Sequence, residues 1–256
     1  MKKYLLTIAY DGSGFHGWQK QREERTVQGH LEETFSRLFS QEIRLDGTSR
    51  TDAGVHAWGQ RASFEAELGI PTERMARVMN NALCGREPGS FALSPVRIRK
   101  VEEVPEGFHA RFDCKGKSYV YRIRTGEEDV FLRNYVYHAG EKLDAEAMDQ
   151  AAGYLVGTHD FKSFESSGGT PRETTVRTIF SAGVSREEAG EEIRLEISGD
   201  GFLYNMVRII TGTLVEVGRG SRRPEEIKTI IEEKDRSAAG HTAPPYGLYL
   251  AEVFYE

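Results

Sequence analysis

A helix with one apolar side is predicted near the start of this chain, in the stretch TVQGHLEETFSRLF, residues 26–39. Thr26 is a typical N-cap residue, because its hydroxyl can accept a hydrogen bond from a backbone N–H group of the first turn. Apolar side chains then recur at helical spacing, at Leu31, Phe35, Leu38 and Phe39. This spacing places them on one side of the helix, which is therefore expected to pack against a core.

The segments around this helix predict strands and a second helix. A strand is predicted over residues 3–10, before the helix, and two strands over 43–46 and 61–64, after it. A second helix follows Pro71, and a further strand covers about 91–101. The apolar residues of the second helix lie on one side, at Met75, Val78, Met79 and Leu83. The first half of the chain is thus predicted to run β-α-β-β-α-β.

The second half repeats this order of elements. Its predicted strands cover residues 118–124, 174–184, 193–198 and 248–255, and its predicted helices cover 144–156, 202–217 and a short segment from Pro224. The order β-α-β-β-α-β is that of ferredoxin-like units. The sequence therefore predicts an α+β fold of two ferredoxin-like halves sharing a mixed, largely antiparallel sheet, with domains over 1–110 and 111–256.

Composition indicates a soluble globular protein, with 256 residues, 38% of them hydrophobic and 29% charged. The apolar run after the N-terminus stops at Asp11, which makes it too short for a signal peptide. No stretch approaches the roughly 18 apolar residues of a membrane span. Cys84 and Cys114 lack C-x-x-C spacing. A reduced, cytoplasmic protein without a structural zinc site is predicted.

The charge is unevenly distributed along the chain. The net charge of −6, averaged over the surface, argues against nucleic-acid binding, because phosphates require clustered Lys and Arg. Residues 97–124, however, contain eight basic and only four acidic side chains. Two interpretations stay open for this segment: a solvated surface with chance clusters of charge, or an RNA-binding stripe. A stripe that binds phosphates predicts RNA affinity that falls steeply with salt.

Residues 12–17 match the G-x-G-x-x-G pattern of a dinucleotide site. The pattern requires a helix to open at its third glycine, but a charged stretch separates Gly17 from the predicted cap at Thr26. We therefore interpret the glycines as a tight turn, with Trp18 packed beside it.

The loop at residues 47–57 concentrates small, polar and charged residues between two predicted strands. Such loops on a sheet often carry chemistry. One interpretation is structural, with Asp52 as a turn residue that accepts backbone N–H groups. A serine hydrolase with Ser49 as nucleophile and His56 as base is a second interpretation, but Thr51 breaks the G-x-S-x-G elbow. The carboxylate of Asp52 is then the better candidate for chemistry.

The same loop, SRTDAGVHA at residues 49–57, resembles the signature of TruA-type pseudouridine synthases. Further motifs resemble that family in the family's order: Tyr10-Asp11-Gly12 with Gly17-Trp18-Gln19, Thr26-Val27-Gln28, Phe108-His109-Ala110-Arg111-Phe112, Asp160-Phe161 with Phe164, Asn205-Met206-Val207-Arg208 and Pro244-Pro245-Tyr246-Gly247-Leu248. Together they span nearly the whole chain. Many members of the family have glycine where this chain has Ser49.

The resemblance implies roles for four residues. Asp52 matches the catalytic aspartate, which assists cleavage of the uridine N-glycosidic bond by addition at C1′, addition at C6 or a glycal route. Arg50 matches the arginine that fills the space left by the flipped nucleotide. Tyr119 matches the tyrosine that stacks on the target base, and Arg208 the arginine that pairs with Asp52. Without the resemblance, Tyr119 would be read as a packing residue and Arg208 as a surface arginine.

The resemblance also implies a homodimer that modifies uridines at positions 38 to 40 of the tRNA anticodon stem-loop, without metal or redox cofactor. His56, His109 and His159 lack metal-ligand spacing and are interpreted as structural or RNA-contacting. Two other classes remain as alternatives: an RNA-binding module with a degenerate site, and a hydrolase or nucleosidase. A nucleosidase differs in that it releases free uracil.

Overall fold

A computed structural model of the chain describes residues 1–85, 93–140, 142–169, 173–187 and 191–256. These residues form two compact units, one of Met1–Lys115 with Leu250–Glu256 and one of Gly116–Tyr249. The end of the chain returns to the first unit, so these bounds differ from the domains 1–110 and 111–256, which stay a prediction about the two halves.

The strands of the described chain are β1 (Lys2–Tyr10), β2 (Asp46–Gly47), β3 (His56–Ala66), β4 (Val96–Val104), β5 (Gly116–Thr125), β6 (Tyr137–Gly140), β7 (Gly157–Asp160), β8 (Val176–Arg186), β9 (Glu192–Gly199) and β10 (Leu248–Phe254). The α-helices are α1 (Val27–Phe39), α2 (Thr72–Leu83), α3 (Ala145–Gly153), α4 (Met206–Gly218) and α5 (Glu226–Glu233). Each helix in the described ranges falls short of the length and apolar character needed to cross a membrane.

In the first unit, strands follow the order β4-β1-β3-β10, and β1 pairs antiparallel with both β3 and β4. Tyr4, Leu6, Ile8 and Tyr10 of β1 are buried on one side of the sheet, because residues i and i+2 of a strand face the same side, and Leu5 on the other side is buried as well. Tyr4 opposes Phe64 of β3, and their rings are 5.4 Å apart. The apolar side of each helix is buried as well, at Leu31 and Phe35 of α1 and at Met75 and Met79 of α2.

In the second unit, strands follow the order β5-β9-β8-β7 with antiparallel pairing throughout. The short strand β6 pairs with β5 in parallel, which makes the sheet mixed. Helix α3 packs against β8, and α4 packs against α3. The predicted fold class, α+β with two halves on a mixed and largely antiparallel sheet, is confirmed.

Two predicted elements are wrong at their bounds. Residues 43–45 are not a strand: the N–H of Leu45 donates to the carboxylate of Glu32 at 3.0 Å, so a side chain replaces a strand partner. The helix predicted over 202–217 begins at Met206, because Asn205 has a left-handed φ of 60°. Strands β6 and β7 were not predicted. The start of the strand predicted over 91–101 lies partly outside the described residues, and β4 begins at Val96.

Candidate active site

Asp52 lies in a tight turn between β2 and β3 and is half-buried. The turn is closed by the N–H of Val55, which donates to the carbonyl oxygen of Asp52 at 3.1 Å. Gly54, inside the turn, has a φ of 79°, in the left-handed region that favours glycine. Arg50 is exposed on the same loop, two residues before Asp52. The structure thus places Arg50 and Asp52 together on one ordered loop.

Backbone hydrogen bonds attach this loop to the glycine-rich segment at residues 12–18. The N–H of Trp18 donates to the carbonyl oxygen of Thr51 at 3.0 Å. The N–H of Gly54 donates to the carbonyl oxygen of Phe15 at 3.3 Å. These bonds fix the backbone on both sides of Asp52.

Two glycines make this close approach possible. A Cβ on Gly17, where φ is 83°, would lie 2.6 Å from the carbonyl oxygen of Thr51. A Cβ on Gly12 would lie 2.0 Å from the carbonyl oxygen of Val55. The glycines thus do more than form the predicted tight turn, since they let one backbone segment lie directly against another. The glycine spacing was the signal, but its partner loop is more than 30 residues away in sequence.

Buried polar side chains hold the two ends of the loop. The hydroxyls of Tyr10 and Thr51 are 2.7 Å apart in the core. The side chain of Gln60 donates to the carbonyl oxygen of Ser49 at 2.7 Å and accepts from its N–H at 3.3 Å. His56 is 1% exposed, and its Nδ1 accepts a hydrogen bond from the N–H of Gly12 at 3.0 Å. This contact supports the structural interpretation of His56 over a role as base of a hydrolase.

In the second unit, Tyr119 lies on β5 and is 7% exposed. Its ring meets the ring of Phe202 edge to face, with centroids 5.1 Å apart. Tyr121, on the same side of β5, is fully buried, and its hydroxyl donates to the carbonyl oxygen of Pro244 at 2.6 Å. Burial raises the pKa of Tyr121 well above its usual value, which keeps the phenol neutral.

Arg208 lies in the first turn of α4 and is half-buried, not simply exposed on a helix surface. Its Nε donates to the carbonyl oxygen of Ala243 at 2.8 Å, and an Nη donates to the side-chain oxygen of Asn205 at 2.8 Å. These bonds restrict the guanidinium to one orientation.

The loop that contains Ala243 is itself fastened to α4. The N–H of Gly240 donates to the hydroxyl of Thr213 at 3.0 Å, and the N–H of His241 donates to a carboxylate oxygen of Glu216 at 3.1 Å. Burial raises the pKa of Glu216, but hydrogen bonds from Arg222 and His241 outweigh it, so the pKa lies below its ordinary value and the group stays ionised. Sequence reasoning did not find Glu216, because its contact with residue 241 depends on the fold.

The eight basic residues of segment 97–124 differ in their surroundings. Three of them form ion pairs, Lys100 with Glu102, Arg122 with Glu192 and Arg124 with Glu191. Four of the others are exposed, namely Arg97, Arg99, Arg111 and Lys115, and Lys117 is half-buried. Part of the predicted stripe is therefore neutralised within the protein, and the exposed members are the better candidates for phosphate contacts.

The sequence profile of the family described as "tRNA pseudouridine synthase" matches residues 6–113 and 151–256. The chain belongs to this family. The tRNA pseudouridine synthase A of Anoxybacillus flavithermus is 49% identical over 100% of both chains. The protein of the same name from Acetivibrio thermocellus is 46% identical over 100% of both chains, and that from Brevibacillus brevis is 47% identical over 100% of both. The predicted resemblance to TruA-type pseudouridine synthases is confirmed.

The four predicted site residues are divided equally between the two units. Asp52 and Arg50 lie on the loop of the first unit. Tyr119 and Arg208 lie on β5 and α4 of the second unit.

Proposed function

We propose that this protein isomerises uridine to pseudouridine at positions 38 to 40 of the tRNA anticodon stem-loop, acting as a cytoplasmic homodimer. One observation carries the proposal: relatives named tRNA pseudouridine synthase A match the chain from end to end, at 49% identity for the Anoxybacillus flavithermus protein. The region that these relatives match includes the loop of Asp52, whose backbone is held by hydrogen bonds to residues 15 and 18.

The reaction rearranges bonds without changing the composition of the nucleotide. The N1–C1′ bond of uridine breaks, the base turns, and a C5–C1′ bond forms; the hydrogen at C5 leaves as a proton, and N1 takes up a proton. Asp52 is the proposed catalytic residue, because an ionised carboxylate can stabilise or trap a cationic anomeric carbon, as in glycosidases. Addition at C1′, addition at C6 and a glycal route all fit this role.

The surroundings of Asp52 support this assignment by restricting its motion. A catalytic group held close to its working geometry avoids the entropic cost of finding it. Here, the carbonyl oxygens of Thr51 and Asp52 both accept backbone hydrogen bonds. Arg208 is proposed to pair with Asp52 and keep it ionised, since a nearby cation favours the charged form of a carboxyl group.

Two further residues are proposed to contact the substrate. Arg50, exposed on the Asp52 loop, fills the space left when the target nucleotide leaves the stem. Its planar guanidinium can stack on bases and bind phosphate. Tyr119 stacks on the target base, with its ring orientation limited by the edge-to-face contact with Phe202.

The test is pseudouridine formation in an unmodified tRNA transcript that contains uridine at positions 38 to 40, mapped after incubation with the purified protein. Under single-turnover conditions with saturating enzyme, Asp52→Asn should lower the rate by roughly 10³-fold or more with little change in tRNA affinity. Asp235→Asn is the matched control. Asp235 caps a short turn by accepting from the N–H of Ser237, and asparagine can accept the same bond.

Other outcomes would point to other functions. Release of free uracil would indicate a nucleosidase, and tRNA binding without modification would indicate a binding module. Near-parental turnover by a folded Asp52→Asn variant would remove Asp52 from the mechanism. Sedimentation that finds only a monomer at micromolar concentration would remove the homodimer.

A further inference from the structure

Phe112 is 76% exposed although it lies in an ordered turn at residues 109–113. Single exposed apolar residues are common on proteins, but this ring is not isolated. It lies against the ring of His109, with centroids 4.2 Å apart and an angle of 41° between the planes. The next residue in the chain on its N-terminal side, Arg111, is exposed as well. We call Phe112 and His109 the ring pair.

Hydrogen bonds within the turn hold the ring pair in place. The N–H of His109 donates to a carboxylate oxygen of Asp113 at 2.7 Å, and the N–H of Asp113 donates to the carbonyl oxygen of His109 at 3.0 Å. The N–H of Arg111 donates to the Nδ1 of His109 at 3.1 Å. The imidazole is therefore oriented by the backbone, and the ring of Phe112 lies against it in a tilted contact.

The turn is anchored to the first unit through Ala110, which is fully buried. Its N–H donates to the hydroxyl of Ser63 at 3.2 Å. Its carbonyl oxygen accepts from the hydroxyl of Thr48 at 2.9 Å and from that of Tyr255 at 2.9 Å. Thr48 lies near the start of the loop that contains Asp52, so the ring pair is tied to that loop through a buried hydrogen bond.

We propose that the ring pair, with Arg111, is an RNA-contact site in which a tRNA base stacks on Phe112 and a phosphate pairs with Arg111. This inference rests on the proposed function, since it takes tRNA as the ligand. Exposed aromatic rings beside basic groups are the usual platform for unpaired bases, because every base offers a flat face for stacking. Lys115, also exposed, adds a second cation near the turn.

The chemistry of the site favours RNA over a second copy of the chain. A stable protein interface buries roughly 800 Å² on each partner, far more than one ring and its neighbours present. Two carboxylates lie near the ring pair, and both are beside His109. Asp113 accepts a hydrogen bond from the backbone N–H of His109, and a carboxylate oxygen of Asp46 lies 3.9 Å from the Nε2 of His109.

The test compares Phe112→Leu, which removes the ring but keeps an apolar side chain, with Phe112→Trp, which keeps a ring. Dissociation constants for unmodified tRNA are measured by fluorescence anisotropy. Phe112→Leu should weaken binding by about fivefold or more, because stacking of a base on an aromatic side chain is worth roughly 1–3 kcal/mol. Phe112→Trp should bind about as tightly as the parent protein. The single-turnover rate at saturating enzyme should fall by less than the affinity.

Arg111→Gln and Phe131→Leu complete the comparison. Loss of one phosphate contact should make the slope of log affinity against log salt shallower by about 0.7 to 0.9 for Arg111→Gln. Phe131 is an exposed phenylalanine of the second unit, 85% exposed, and its flanking residues Val130 and Leu132 carry no charge. Phe131→Leu should leave tRNA affinity unchanged.

Parental affinity in Phe112→Leu would overturn the proposal, and so would equal losses in Phe112→Leu and Phe112→Trp. A change of sedimentation coefficient in Phe112→Leu without a change in tRNA affinity would also overturn it, by assigning the ring to a contact between copies. Failure of the parent protein to form pseudouridine, with tRNA affinity still dependent on Phe112, would remove the proposed function and leave the RNA-contact site in place.

Discussion

Replacing Gly17 with alanine should slow the reaction by displacing the loop of Asp52. The added Cβ would lie 2.6 Å from the carbonyl oxygen of Thr51, whereas ordinary contacts begin at 3.4 Å, so one backbone segment must shift by about 0.8 Å. A displacement of about 1 Å in a catalytic group can lower the rate roughly 100-fold. Alanine at the left-handed φ of Gly17 also costs roughly 1–2 kcal/mol of stability. We therefore expect a rate about 30- to 100-fold lower in Gly17→Ala.

The measurement is the single-turnover rate of pseudouridine formation at saturating enzyme, together with unfolding in urea. Gly220→Ala is the matched control, because Gly220 has a similar φ of 74° and nothing within 4 Å of its added Cβ. The control should lose about the same 1–2 kcal/mol of stability to backbone strain and keep the parental rate. A parental rate in Gly17→Ala, or an equal loss of rate in Gly220→Ala, would refute the argument that the close contact positions the loop.

Two further predictions concern ionised groups of the second unit. Burial raises the pKa of Glu192, but hydrogen bonds from Arg122 and Arg194 outweigh it, so the pKa lies below its ordinary value of 4.5. The ionised carboxylate therefore stabilises the fold above about pH 4.5, and this contribution is lost as the pH falls below that value. Glu192→Gln should therefore lower the unfolding free energy by about 2 kcal/mol at pH 7, less than the loss of a fully buried ion pair would. Measured by urea unfolding at several pH values, the unfolding free energy of the variant should fall less between neutral and acid pH than that of the parent protein. An equally steep fall in the variant would contradict this. Glu216→Ala should release the 240–243 loop from α4 and lower the single-turnover rate about tenfold, with unchanged tRNA affinity. Glu216→Gln should retain most of the rate, because its side-chain oxygen can still accept the hydrogen bond from the N–H of His241. Equal rates in the two Glu216 variants would remove the positioning role.

The sequence alone determined the features that depend on neighbours along the chain. The N-cap at Thr26 is confirmed, with its hydroxyl accepting from the N–H of Gly29 at 3.3 Å. The apolar spacing of α1 predicted burial of Leu31 and Phe35, because side chains three to four residues apart share one side of a helix. The loop motif at residues 49–57, together with motifs along the rest of the chain, was sufficient to predict the family, and the resemblance selected Asp52 as the candidate catalytic residue.

The tertiary structure decided the features that depend on residues far apart in the sequence. Glu32 satisfies the backbone of Leu45 and thereby replaces a predicted strand, and Glu216 holds the loop whose carbonyl group orients Arg208. Gly17 looks like any turn glycine until the fold brings Thr51 against it. The periodicity of a helix or strand predicts only which side of that element is buried. Which other segment packs against that side depends on how the whole chain folds, because a hydrogen bond or a close contact forms only when both segments are in place.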